Sequence, residues 1–417
     1  MTSPDERAAA RTFTELERRL RTRLARTQGV TRRSVLGGVA GGLVLANGLT
    51  DRATGNGGEH GMFGPHGEFE DPFDPHAFLR TFNTGSDGQA DLEQEVYNED
   101  GRLVRHFHIT VLDRLDPGIE IVPGVYFPAW TFNGQVPGPT LRAVEGDLIR
   151  ITMTNGSRHA HTMHPHLRNH RPEMDGIPQT GPGVIQPGET YTYDWVARPP
   201  GVHFYHCHAL PLKEHLHRGM YGVVVVDPDP ERVRDDPRAY VNHPGPLDDA
   251  VVDELVERAR ERNHTYPEND AVDELVMVMN SFDTDFDGEN EVYAVNTRAF
   301  AYGVGETDGA GSWRSGETRR PIQIDPQQRQ LVYLVNTTEF DPINSFHSHS
   351  QFFDYYDHGT TLWPTHRRVD TIVQTQAQRG ILELDYREHE PGLYMFHAHQ
   401  SEFAELGWMS FFEVIDG

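Results

Sequence analysis

Two stretches, Pro200-Gly201-Val202-His203-Phe204-Tyr205-His206-Cys207-His208 and Pro391-Gly392-Leu393-Tyr394-Met395-Phe396-His397-Ala398-His399, read as copies of one another. Each opens on a Pro-Gly turn signal, runs through β-favouring residues and ends on a His-x-His pair. Upstream, a second pattern repeats. Leu148-Ile149-Arg150-Ile151-Thr152-Met153-Thr154-Asn155 leads into one histidine cluster, and Leu331-Val332-Tyr333-Leu334-Val335-Asn336 leads into another. Duplication of a short-stranded unit predicts two related β-sandwiches in one chain.

Strand-like runs at 104–112, 148–153, 191–196 and 223–226 are punctuated by Asn133-Gly134, Pro137-Gly138-Pro139, Pro187-Gly188 and Pro199-Pro200-Gly201. They place a first domain at 103–228. The rhythm breaks over 229–273, where apolar residues at 251, 252, 255 and 259 predict a surface helix in a linker. It resumes at 274–417, the second domain. Residues 51–102, rich in Gly, Asp, Pro and His without periodicity, read as an extended N-terminal arm. Thr31-Arg32-Arg33-Ser34-Val35-Leu36 precedes a Gly-rich apolar stretch at 37–49 that is short for a bilayer span. Residues 1–50 therefore resemble a twin-arginine (Tat) export signal, the alternative being a basic helix followed by a flexible linker. Export would place the mature protein outside the cytoplasm, as an extracellular, periplasmic or cell-surface molecule.

The 417 residues carry 63 acidic against 37 basic side chains, a formal charge of −26, and Lys213 is the only lysine. Hydrated acidic surfaces suit high salt, and an arginine-favouring, GC-rich genome accounts for the missing lysines equally well. The negative balance argues against nucleic acid as a partner. Cys207 is the only cysteine, so no intrachain disulfide can form.

The 24 histidines make seven His-x-His pairs, where roughly one or two would arise by chance. Four of them, His164/His166, His206/His208, His347/His349 and His397/His399, occupy equivalent places in the two repeats. On a strand, side chains at i and i+2 share a face and i+1 takes the other. His206 and His208 therefore project together, while Cys207 points into its own sandwich. His161, Cys207, His215 and Met220 supply two imidazoles, a thiolate and a thioether, the donor set of a blue-copper site. His159 competes with His161 and His217 with His215, and spacing favours His161 and His215. The second domain has Ala398 in place of the cysteine. Each domain then offers four imidazoles to a site that needs both domains. His106/His108 reads as a solvated face, and His60, His66 and His76 as part of a polar tail. His170 and His203 read as groups that orient ligands or as surface residues.

With these motifs, residues 104–417 resemble the multicopper oxidases, specifically the two-domain, laccase-like group with its blue copper in the first domain. The resemblance implies an all-β protein of two cupredoxin-like Greek-key β-sandwich domains, joined by a linker with a short helix. His161-Thr162-Met163-His164-Pro165-His166 matches the family's His-x-x-His-x-His motif. It implies His161 on type 1 copper, His164 on type 2 and His166 on type 3. The family's final motif matches His206-Cys207-His208 with His215 and Met220, although the step from Cys207 to His215 is longer than in three-domain laccases. This implies Cys207, His215 and Met220 on type 1 and His206 and His208 on type 3. By the same likeness His347 serves type 2, and His349, His397 and His399 serve type 3. Four coppers per chain follow: one type 1, one type 2 and two type 3. A reducing substrate (a phenol, a metal ion or a redox protein) would give electrons singly to the type 1 site. They would pass through Cys207 to His206 and His208 and reduce O₂ to water. Asp370 and Asp175 lie where the family places proton-donating acids, Asp370 being favoured, while Leu216 stands where some relatives carry another acid. The resemblance further implies a homotrimer, with the first domain of one chain facing the second domain of the next. Copper nitrite reductase shares the two-domain plan, but it leaves His208 and both pairs of the second domain without a role. A copper electron carrier or storage protein leaves the eight paired histidines unexplained.

Overall fold

The computed structural model describes residues 73–82, 94–113, 115, 117–242, 245–303 and 320–416. The export signal expected at 1–50, and His60 and His66 of the arm, lie outside the described residues. Among the described residues no helix is long and apolar enough to cross a membrane.

The first sandwich closes one sheet, Gln94–Glu99, Arg102–Leu112, Leu148–Asn155 and Thr190–Val196 with Thr131–Phe132 at its margin, onto a second. That second sheet runs Leu141–Val144, Tyr221–Asp227, Gly201–His206 and His164–Pro165. The chain passes repeatedly from one sheet to the other, the Greek-key habit. Leu148–Asn155 buries every second residue, as a strand with one face on the core should. Gly201–His206 is buried at all six positions. Tyr205 and Cys207 pack inward with Ile149, Trp195 and Val224, while Val202 and Phe204 pack outward against the other domain.

The second sandwich repeats the pairing. Val272–Phe282 runs parallel to Arg329–Asn336, as Arg102–Leu112 does to Leu148–Asn155. The register across the histidine strands is also conserved between the copies. His206 lies opposite His164 in one domain and His397 opposite His347 in the other.

The two domains share a continuous apolar core and a buried charge network. Arg142 meets both carboxylate oxygens of Asp227 at 3.0 Å and those of Glu274 at 2.8 and 3.0 Å. Tyr333 donates to Glu274 at 2.6 Å. At Gly201 (φ +120°) a Cβ would lie 2.0 Å from the Gly359 carbonyl oxygen, so the domains approach there at backbone distance.

Two expectations are corrected. Within the arm, Pro75–Arg80 forms a helix capped by Asp74; its Phe78 and Leu79 are fully buried on the second domain and Arg80 pairs with Asp273 at 2.7 Å. A helix of six residues is too short to show a period. Gln94–Glu99 is an edge strand antiparallel to Arg102–Leu112, so the first sheet begins before residue 103. It is mostly exposed, which removed the hydrophobic alternation. In the linker, the helix Asp249–Glu261 starts at the Asp248 cap and buries Leu255, Val256 and Ala259. These pack with Val233 of a second helix, Pro230–Asp235, and with Leu362 of the second domain, so the helix is docked rather than merely superficial. Arg258, Arg262 and Arg329 converge on Glu383. Burial alone would raise that carboxyl, yet the guanidiniums hold it at about 2.

Arg142→Ala would leave buried Glu274 without its cation and Asp227 with His264 alone, a loss of about 3–5 kcal/mol expected as a lower denaturation midpoint. Burial raises the Asp227 carboxyl, but Arg142 and His264 outweigh it and hold it below its ordinary value. Its contribution is therefore complete above the unfolded carboxyl's value of about 4 and disappears as pH falls through the folded one. The midpoint gap between wild type and variant should close on acidification.

Candidate metal centre

The first cluster is set by three local constraints. His161 is fixed by paired backbone bonds with Ile185, at 3.0 and 2.8 Å. Cys207 N–H donates to the Met220 carbonyl at 2.9 Å, and His215 rides on the short helix Leu212–His217. Cys207 Sγ then lies 3.2 Å from His215 Nδ1 and 3.6 Å from His161 Nδ1. Met220 is fully buried in the same core cluster. Thr162 N–H donates to Sγ at 3.3 Å, and Thr162 Oγ1 accepts from His208 N–H at 2.9 Å. Burial pushes the thiol up to about 11, against the hydrogen bonds of Thr162 and Ala209. It pushes His161 down to about 3 and His215 to about 4, so both rings are neutral ligands at physiological pH. The competing histidines turn elsewhere. His159 stacks on Trp130, and His217 sits among Phe127, Phe286 and Phe340 with Nε2 donating to the Asp283 carbonyl at 3.2 Å.

Two further groups gather imidazoles only. Ligand atoms of His164, His166 and His206 lie within 4.8 Å of one another, and so do those of His347, His349 and His397. The His208 ring stands 5.4 Å from His164, and His399 stands 5.1 Å from His347. The copies share their supports. His164 Nδ1 donates to the Asp175 carbonyl at 2.7 Å and His347 Nδ1 to the Asp370 carbonyl at 2.9 Å. His206 Nδ1 and His397 Nδ1 face the carbonyls of Cys207 and Ala398. Each bond turns Nε2 forward, fixing the tautomer that binds metal. The forward nitrogens then crowd: His166 and His206 Nε2 are 3.3 Å apart, and His349 and His397 Nε2 are 3.0 Å apart. Burial holds His206 at about 3 and His166 at about 2. Neutral rings with lone pairs converging on one point are what a cation satisfies. The sulfur-bearing set suits copper, and the imidazole sets suit copper or zinc.

The Asp175 carboxylate is tied to His170 Nε2 at 2.6 Å, so His170 does stand behind the cluster. Asp370 Oδ2 is 4.0 Å from His347 Nδ1, and its side chain is 49% exposed against 26% for Asp175. His203 is fully buried between the carbonyls of Pro199 and His166. The His106 and His108 rings lie 4.5 Å apart at a tilt of 34°, with His106 beside Thr152. Thr162 and Trp130 were not legible as site residues, because their roles depend on backbone and ring geometry. A fourth group, Asp283, Asp285, Asp287 and Glu291, also brings carboxylates within 4.8 Å, and the alternating acids at 283, 285 and 287 are its signal in the sequence.

The comparisons with known proteins converge. Two family models described as multicopper oxidase match residues 119–231 and 284–417. A solved multicopper oxidase superposes with a TM-score of 0.63 and 40% identity, covering 82% of this chain and 98% of that one. Copper-containing nitrite reductase of Neisseria meningitidis is 29% identical over 136 residues, 31% of this chain and 33% of its own length. L-ascorbate oxidase of Cucumis sativus is 40% identical over 102 residues, 23% of this chain and 16% of its own. The matches thus span a third or less of these curated relatives. Paired cupredoxin domains, a cysteine-bearing donor set in the first alone and imidazole sets at equivalent register in both lead to one conclusion: the chain belongs to the multicopper oxidase family.

Proposed function

We propose that the protein is a laccase-like oxidase that takes electrons singly from a reducing substrate and reduces O₂ to water. The observation that carries this reading is the paired geometry of His206-Cys207-His208. Its sulfur meets His161 and His215 inside the first sandwich while its flanking imidazoles join His164 and His166 outside. Bound copper would supply one-electron redox chemistry and O₂ binding. His161, Cys207, His215 and Met220 would hold type 1 copper, His164 and His347 type 2, and His166, His206, His208, His349, His397 and His399 the type 3 pair, four coppers per chain. The peptide through Cys207 connects the two centres covalently. Burial of the sulfur set excludes water, and the carbonyls of Asp175 and Asp370 orient the type 2 ligands. Oxygen reduction consumes protons, and the half-exposed Asp370 carboxylate is the better placed of the two acids to exchange them with solvent.

We infer a head-to-tail homotrimer. Each metal-sized imidazole group draws on one domain, and the contact between domains within the chain uses the Val202 and Phe204 face of Gly201–His206. The other half of each cluster must then come from a neighbouring copy. Exposed Leu210 beside His208, and exposed Ile343, Phe352 and Val373 around His347 and His349, support docking there. The Arg32-Arg33 motif supports export through the Tat route, and the acidic, lysine-poor composition supports work in salt.

With a phenol or diamine donor, the copper-loaded protein should consume O₂; nitrite reduction without O₂ uptake would favour the reductase reading. Cys207→Ser should abolish intense blue absorbance while leaving three of four coppers by metal analysis. Two inactive variants, His206→Ala with His208→Ala and His397→Ala with His399→Ala, should regain O₂ uptake when co-expressed, because some interfaces then carry both intact sets. A cluster built within one chain would not be rescued.

A further inference from the structure

His161 Nε2 is buried without a hydrogen-bond partner, whereas His164, His206, His347 and His397 each turn Nδ1 to a backbone carbonyl. The orientation that such bonds give a metal-binding ring must come from packing at the sulfur-bearing set. Trp130 packs against both histidine ligands of that set. Its ring lies edge-on to His161, at 5.6 Å and 85°, and to His215, at 4.9 Å and 74°. No other aromatic side chain with a described ring contact touches both.

The indole is itself held. Its backbone N–H donates to the Arg218 carbonyl at 2.9 Å, His159 stacks on it at 4.4 Å, and the Arg218 guanidinium lies 4.9 Å from its ring centroid. Arg218 continues to the second domain, 4.6 Å from the Phe286 ring. Phe286 is 45% exposed, yet its backbone is left-handed (φ +61°), a conformation uncommon for a bulky residue. It packs on Phe127 at 5.9 Å and on His217 at 5.6 Å. A single stack thus runs from the surface of the second domain to the ligands of the first.

We infer that Trp130 is a positioning residue for the type 1 ligands, and that Phe286 steadies it from the second domain through Arg218. The inference rests on the oxidase reading for the identity of the metal. Indole packing aims both Nδ1 atoms at Cys207 Sγ, and loosening the stack releases the rings without removing a ligand.

The test is copper titration of the full-length protein as wild type, Trp130→Phe, Trp130→Ala and Phe286→Ala. It reads the energy of the sulfur-to-copper absorption, the electron paramagnetic hyperfine splitting and the reduction potential, alongside the thermal midpoint. Trp130→Ala should weaken type 1 loading about 10- to 100-fold and shift all three signatures, the range seen when groups supporting metal ligands are lost. Trp130→Phe should restore most of the shift. Phe286→Ala should move the signatures in the same direction by less, with little change in thermal midpoint. A folded Trp130→Ala protein with wild-type loading, absorption and potential overturns the inference. Should that variant not fold, unshifted signatures in Phe286→Ala overturn it instead. Absence of blue absorbance in wild type would overturn the oxidase reading itself, whereas a wild-type band unmoved by Trp130→Ala sinks only the role given to the indole.

Discussion

The alternation of side chains along Gly201–His206 and on through Cys207 and His208 is the constraint on which the rest depends. One backbone segment must feed two environments, a dry sandwich interior that receives the sulfur and an outer face that receives imidazoles. Both faces of this strand are buried, the first by its own partner sheet and the second by the neighbouring domain. A register slip of one residue would exchange the thiol and the imidazoles. Burial on both sides is therefore what protects the chemistry, since neither set of side chains can reverse without emptying a core.

The same strand also joins the two domains. Its outer face, at Val202 and Phe204, packs into the apolar core shared with the second domain. The Arg142 network and the backbone approach of Gly201 to Gly359 add to that contact. Each domain of the chain presents its own imidazole set.

Much of the site was legible because its signals are local. His-x-His spacing needs only the two-residue period of a strand, and the repeat of Pro391–His399 over Pro200–His208 shows in the letters alone. The choices of His161 over His159 and of His215 over His217 could be weighed from spacing, but only the paired bonds to Ile185 and the short helix Leu212–His217 decide which rings turn inward. Tertiary groups left no such trace. Trp130 and Phe286 lie far apart in the chain, and Arg218 joins them through ring faces that no periodicity reports. The helix Pro75–Arg80 and the edge strand Gln94–Glu99 escaped for a simpler reason: one is shorter than two helical turns, and the other is too exposed to alternate.

The counterpart of the sulfur site in the second sandwich survives as architecture without chemistry. Ala398 N–H donates to the Trp408 carbonyl, just as Cys207 N–H donates to that of Met220, so Trp408 holds the backbone place of Met220. Asn344 stands three residues before His347, the place His161 holds before His164. Phe346 and Phe396 close around Trp408 at 5.9 and 5.8 Å. The second sandwich thus packs aromatic rings around Trp408 where the first gathers His161, Cys207 and His215. A cysteine at 398 alone would have Asn344 at the sequence place of His161 and Trp408 at the backbone place of Met220, so one substitution does not recreate the four-donor set.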